Sequence, residues 1–188
     1  MNSGNPRDYM AGLISQLQRS ERGSSRRLIE QAAAEHPEDA RPLLLLAAEH
    51  VHAGEIDLAE ATYIAALQRA PDFAIARFQL GLLQLTSAHP AAAQATWAPL
   101  DALPATDPLR LFKTGLELMA QDRFDETRRL LMQGIAQNDA NPALNRDMQM
   151  VLERIAQQQA GRGAGQPGQP AASQAEGHFL VSSYQKSR

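Results

Sequence analysis

The chain has 188 residues, enough for one domain with a tail; 44% are hydrophobic but only 5% aromatic, with Ala and Leu supplying most of the bulk. That composition favours closely packed helices over a β-sandwich. The absence of cysteine excludes disulfides, thiol catalysis and cysteine-ligated metal centres.

The net charge of −3 is unevenly spread: residues 1–30 sum to +2, residues 31–159 to −7 and residues 160–188 to +2. An acidic central region does not suit a nucleic-acid backbone, which needs clustered cations, so no nucleic-acid partner is expected. The nearest basic group, Arg22, Arg26 and Arg27, reads as a solvated helix face. The first residues lack the apolar core of a secretory signal, and the longest purely apolar run, Leu43–Ala48, is far short of a membrane span. A cytoplasmic, bacterial-style protein without membrane insertion is the expectation.

Residues 7–18 read as a first helix, with Tyr9, Leu13 and Leu17 at i, i+4 and i+8. A polar turn containing Gly23 separates it from a second helix that ends at Pro37. Residues 40–71 hold the strongest pattern. Leu43, Leu46, Ala47 and His50 fall at helical spacing on one helix, and Ala59, Tyr63 and Ala66 on the next. Gly54 stands where the chain must reverse, and Pro71 follows as a stop. Asp57 and Glu60 fit a capping box, with Ile56 placed to staple the helix entry.

FQLGLLQL then supplies a helix in which Gly81 allows close contact, and His89-Pro90 opens another that runs through Trp97, expected to be a core filler. Pro99 should kink or end that helix. The proline-rich stretch 102–108 reads as a hinge. QDRFDET precedes a further helix, and residues 142–158 form an amphipathic one with Leu144, Met148, Val151, Leu152 and Ile155. Residues 159–176 are dominated by Gly, Pro, Gln and Ala, too polar to offset their ordering entropy, so a flexible linker is expected. Residues 177–188, GHFLVSSYQKSR, end the chain with an apolar, β-prone cluster: Phe179, Leu180, Val181 and Tyr184.

A constant step along the chain from Asn5 reaches Asp39, Phe73, Asp107 and Asn141. Four of these five residues are good helix N-caps, Phe73 has Asp72 beside it, and Pro6, Pro108 and Pro142 suit the first helical position. In the second helices a small residue recurs as Ser25, Ala59, Ala93 and Thr127, and a bulky one as Ile29, Tyr63, Trp97 and Leu131. This pattern, in period and in residue types, resembles the helix–turn–helix unit of the tetratricopeptide (TPR) repeat. The match is carried by Leu43, Leu46, Ala47, Gly54, Ala59, Tyr63, Ala66 and Pro71; it departs in having Ala47 where the family prefers Gly and His50 where it prefers Tyr.

The resemblance implies an all-α, right-handed superhelical solenoid of about four units, 6–39, 40–73, 74–107 and 108–141. Residues 142–158 would be the cap that a stack of hairpins requires, followed by a disordered tail. The N-terminal end has no such cap and is a candidate homodimer surface, as is exchange of the tail between copies.

No catalytic constellation emerges. His50 and His52 lie two apart, on different sides of a helix, and cannot chelate one ion together. The glycines at 161–168 neither follow a strand nor open a helix, so they form no phosphate loop. Asp122, Asp125 and Glu126 sit at a turn and helix start, where acids complement the dipole. A non-enzyme without cofactor or metal is expected.

TPR proteins generally bind peptides on the concave face lined by first helices. Transferred by register, that face comprises Met10, Leu44, Phe78 and Phe112; Ile14, Ala48, Leu82 and Leu116; and Leu17, Val51, Leu85 and Met119. Every member is apolar, which argues against a carboxylate clamp built from Asn and Lys or Arg; Lys113 is the only lysine of the repeats. The implied partner is a polypeptide with an apolar segment. In a tightly wound array, neighbouring helices would instead cover these rows.

The expected function is therefore a non-catalytic adaptor or scaffold, regulated by docking of its own tail. Across the linker a flexible chain spans on the order of 20–25 Å, and tethering raises the effective concentration to roughly millimolar. The alternatives are a secretion-type chaperone for a hydrophobic client and a regulatory subunit recruited to an enzyme through the C-terminal motif.

Overall fold

The computed structural model describes residues 6–20 and 22–163. Among them every regular element is helical: α1 Pro6–Arg19, α2 Arg22–Glu35, α3 Arg41–Ala53, α4 Ile56–Arg69, α5 Ala74–Thr86, α6 Pro90–Trp97, a 3-10 helix Ala98–Ala102, α7 Pro108–Met119, α8 Phe124–Gln137 and α9 Pro142–Gly163. The fold is all-α, as the composition implies. Odd-numbered helices begin at 6, 41, 74, 108 and 142, and even-numbered ones at 22, 56, 90 and 124, so the hairpins recur at a nearly constant interval. Helix α9 continues to Gly163, past the expected end at 158. The tail motif Phe179, Leu180, Val181 and Tyr184 lies outside the described residues.

Local chemistry explains most boundaries. Proline opens α1, α6, α7 and α9, where its missing N–H would have no partner anyway. The Asp107 carboxylate accepts the Leu109 N–H at 2.9 Å, and the Asn141 side-chain oxygen accepts that of Leu144 at 3.1 Å. Asp39 accepts the Arg41 N–H at 2.8 Å, although the N-cap position itself falls one residue later, on Ala40.

Each of three hairpins closes on a residue in the left-handed region: Gly54 at φ 75°, Ala88 at 63° and Asp122 at 59°. In each, the next residue donates its N–H to the carbonyl five residues back: Glu55 to His50 at 2.9 Å, His89 to Gln84 at 2.8 Å and Arg123 to Leu118 at 3.1 Å. This is the Schellman closure, which satisfies carbonyls the helix end would otherwise leave unpaired.

One sequence expectation needs correction. The capping box at Asp57 and Glu60 does not form, because α4 starts at Ile56 and Asp57 is already inside the helix. The N-cap residue is Glu55, whose carboxylate turns instead to Arg26 and His50. The stretch 102–108, expected to be a hinge, is hydrogen-bonded to its flanks. Arg110 Nη1 donates to the Leu103 carbonyl at 2.6 Å, Asp107 N–H to that of Pro104 at 2.9 Å, and Lys113 holds Asp101 at 2.7 Å, strapping the joint to α7. Pro99 acts as expected: α6 stops at Trp97 and the chain tightens into the 3-10 helix.

The described residues divide into two compact units, one up to Ala76 and one from Arg77 on. In the first, α2 packs on α1 and α3, and α3 on α4. Met10, Leu13 and Ala32 form one core, joined by Leu17, Leu28 and Leu45. Ala40, Leu43, Ala66 and Ala76 form another, against which Leu44, Leu46 and Phe73 pack. Small-to-large packing within the α3–α4 hairpin leaves Ala47 and Ala59 with no exposure and Tyr63 with 3%.

In the second unit α7 packs on α8, α8 on α9, and the 3-10 helix on α6 and α7. Trp97 lies across Gly81, where a Cβ would come within 2.2 Å of its indole nitrogen. That nitrogen donates to the Phe78 carbonyl at 2.9 Å, and the indole stacks on the Phe78 ring at 5.8 Å. Phe112 occupies the space over Gly134 in the same way, and Leu131 that over Gly115. Leu144, Met148, Val151 and Ile155 bury one side of α9.

Candidate functional site

The twelve apolar residues expected to line a groove separate by burial. In the second unit Phe78, Phe112 and Leu116 have no exposure and Leu82 has 6%. Phe78 and Phe112 approach each other at 6.2 Å and, with Trp97, fill the unit's interior, so these four are core rather than groove. Helix faces this apolar are drawn into close packing over Gly81, Gly115 and Gly134. Leu85 and Met119 remain half-buried. In the first unit Met10 is also core, at 8% exposed. Leu17, Leu44, Ala48 and Val51 are half-buried, and Ile14 is 45% exposed. The accessible remainder of the expected surface in that unit is therefore carried by α1 and α3.

Three polar clusters were not anticipated from the sequence. The first overturns the reading of Arg26 as part of a solvated face. Arg26 Nη1 donates to Glu55 Oε1 at 3.3 Å and Nη2 to Glu55 Oε2, while His50 Nδ1 lies 2.6 Å from Oε2. So short an approach to a carboxylate requires the proton on Nδ1. The Arg26 Nη2 contact at 3.2 Å to that nitrogen is then an approach between two donors, both serving Glu55. Hydrogen bonds from Arg26 first, and from His50 next, hold the Glu55 carboxyl below its ordinary value. The cluster pins α2 to the α3–α4 turn and offers no open coordination position.

The second is Lys113, 6% exposed, with its ammonium 2.7 Å from Asp101 and 3.1 Å from Glu117. Burial works to lower its pKa, but the two carboxylates outweigh burial and raise it. This lysine is a fastening, not a free cation facing a ligand.

The third lies where α2 meets α3. The Tyr9 hydroxyl donates to Asp39 Oδ2 at 2.6 Å, its ring stacks on His36 at 3.6 Å between centroids, and the Arg41 guanidinium sits 5.6 Å from the ring centre. Arg41 also donates to both Asp39 oxygens, Nε at 3.0 and 2.9 Å. Burial, then the bond to Asp39, pushes the Tyr9 phenol up to about 12, and Arg41 holds Asp39 well below the usual carboxylate range. This cluster forms one side of an open depression of about 810 Å³ between the α2–α3 and α4–α5 loops, reaching Ala70, Asp72 and Phe73.

No family model, curated protein or solved structure matches the chain. Among the described residues no group of three or more His, Asp and Glu could hold a metal ion, and no helix of the structure is long and apolar enough to cross a membrane. His50 pairs with Glu55, whereas His52 two residues on is exposed, so the two do not share a site. A Glu immediately after the turn glycine, five residues from His50, was the available signal for the first cluster. The Asp39-x-Arg41 spacing was the signal for the third.

Proposed function

We propose that this chain is a TPR-type protein-interaction adaptor without catalytic activity, which takes up an apolar polypeptide segment and is regulated by its own C-terminal motif. The hairpin periodicity carries the repeat assignment: the left-handed residues Gly54, Ala88 and Asp122 recur at the same place in successive hairpins, each with the same closing bond. For the binding face, the support is the accessible apolar set on α1 and α3, Ile14, Leu17, Leu44, Ala48 and Val51. These lie in a unit that is acidic on balance: residues 1–76 carry eleven Asp or Glu against seven Arg.

The full-length chain, screened against an array of short peptides graded in apolar content, should favour apolar peptides. Val51→Asp and Ile14→Asp should each weaken capture by about tenfold, the factor lost when a partly buried aliphatic contact is replaced by a charge. Circular dichroism should stay unchanged. Retention of wild-type binding by both variants would remove the assigned face.

A further inference from the structure

The depression between the α2–α3 and α4–α5 loops has the size range of ligand pockets, about 300–1,000 Å³. Its apolar lining is Ala40, Ala70 and Phe73, residues that also pack into the neighbouring core. The one guanidinium lining it, Arg41, is committed to Asp39, and Asp39 in turn accepts from Arg41 and the Tyr9 hydroxyl. Glu38 and Asp72 differ. One sits on each loop, both are exposed, and neither has a partner among the described residues.

An apolar lining flanked by Glu38 and Asp72, with Glu35 bonded only to the neutral Gln31 amide, selects a segment that joins apolar to cationic side chains and carries no acid of its own. Residues 177–188, GHFLVSSYQKSR, have that chemistry, with Phe179, Leu180, Val181, Tyr184, Lys186 and Arg188 and no Asp or Glu. In an extended segment alternate residues share a face, so Tyr184, Lys186 and Arg188 would present one ring and two cations together.

We propose that this depression is the docking site of residues 177–188, with Tyr184 against the apolar lining and Lys186 and Arg188 reaching Glu38 and Asp72. The inference takes the tail as a docking segment, as in the proposed function, but not in the apolar face of α1 and α3. It stands or falls whether or not that face binds peptides.

The chain has two lysines, Lys113 and Lys186, and Lys113 is buried between two carboxylates. A zero-length carbodiimide, which joins amines to carboxylates, therefore maps the surroundings of Lys186 in the full-length protein. Amide links from Lys186 to Glu38 and Asp72 are expected. Links chiefly to carboxylates outside 35–39 and 72, or no links at all, overturn the assignment. Tyr184→Ser should lower the yield of the two expected links by about fivefold, the factor for losing part of one aromatic contact. An unchanged yield in that variant overturns the docking as well. Peptide-array binding of Val51→Asp is read separately, so failure of the tail site and failure of the apolar face give different patterns.

Discussion

Replacing Gly81 with alanine is the sharpest test of the packing. In an exposed helix interior the change should stabilise, because alanine is about 1 kcal/mol better than glycine there. At Gly81 the new Cβ would lie 2.2 Å from the Trp97 indole nitrogen, 2.4 Å from Cδ1 and 2.6 Å from Cε2. The indole has little freedom to retreat, being 1% exposed, stacked on Phe78 and donating to the Phe78 carbonyl. Overpacking costs about 1–3 kcal/mol, and straining a buried hydrogen bond costs about 1–2 kcal/mol more. After the helix-propensity gain of about 1 kcal/mol, the net loss is about 1–4 kcal/mol.

Gly12 is the matched control, since nothing lies within 4 Å of its added Cβ. Gly12→Ala should therefore gain up to about 1 kcal/mol. Urea unfolding followed by circular dichroism measures both. In a Trp97→Leu background the Gly81→Ala penalty should largely vanish, a coupling of more than about 1 kcal/mol for residues in contact. Equal penalties in the two backgrounds would show that the indole is not what fills the space over Gly81.

Other consequences are more local. Ala88 is held at φ 63°, a region that costs a non-glycine residue about 1–2 kcal/mol, so Ala88→Gly should raise the urea midpoint by an amount worth about 1 kcal/mol. No gain would place the strain elsewhere. Asp39 is depressed in the folded protein, so its stabilisation is present above its unfolded pKa and is lost as pH falls below about 4. Tyr9 is raised to about 12, so its contribution is complete below its unfolded pKa and is lost as pH climbs from about 10 towards 12. In Asp39→Asn the acid limb of the stability profile should flatten and the phenolate absorbance of Tyr9 should appear at lower pH; unchanged curves would refute the coupling. Asn138, 7% exposed, donates to the Asn141 carbonyl at 3.0 Å and to Asn145 Oδ1 at 2.8 Å. Asn138→Ala should cost about 1–2 kcal/mol and speed amide exchange in the first turn of α9, where protection unchanged from the wild type would count against it.

The helices were legible in the sequence because their signals are local: the proline starts, the caps at Asp107 and Asn141, and the small-to-large alternation ending in Trp97 and Leu131. The groove was less so. Periodicity says which residues share a helix face, but not how deeply a neighbour covers it, and Phe78 and Phe112 are covered completely. The turn residues Ala88 and Asp122 lack the glycine that marks Gly54, so backbone geometry rather than residue type reveals their common role. The role of Arg26 escapes a reading of the sequence because its partner, Glu55, comes from the next hairpin. Long-range ion pairs leave no periodic trace.

The burial of Trp97 has a spectroscopic consequence. It is the only tryptophan, and it lies in the second unit, so indole emission follows the melting of that unit's helices and is nearly silent about those of the first. Ellipticity, by contrast, sums over helices of both. Heating one sample and overlaying the two signals therefore counts cooperative blocks: superimposed curves mean one, and curves that part company mean two.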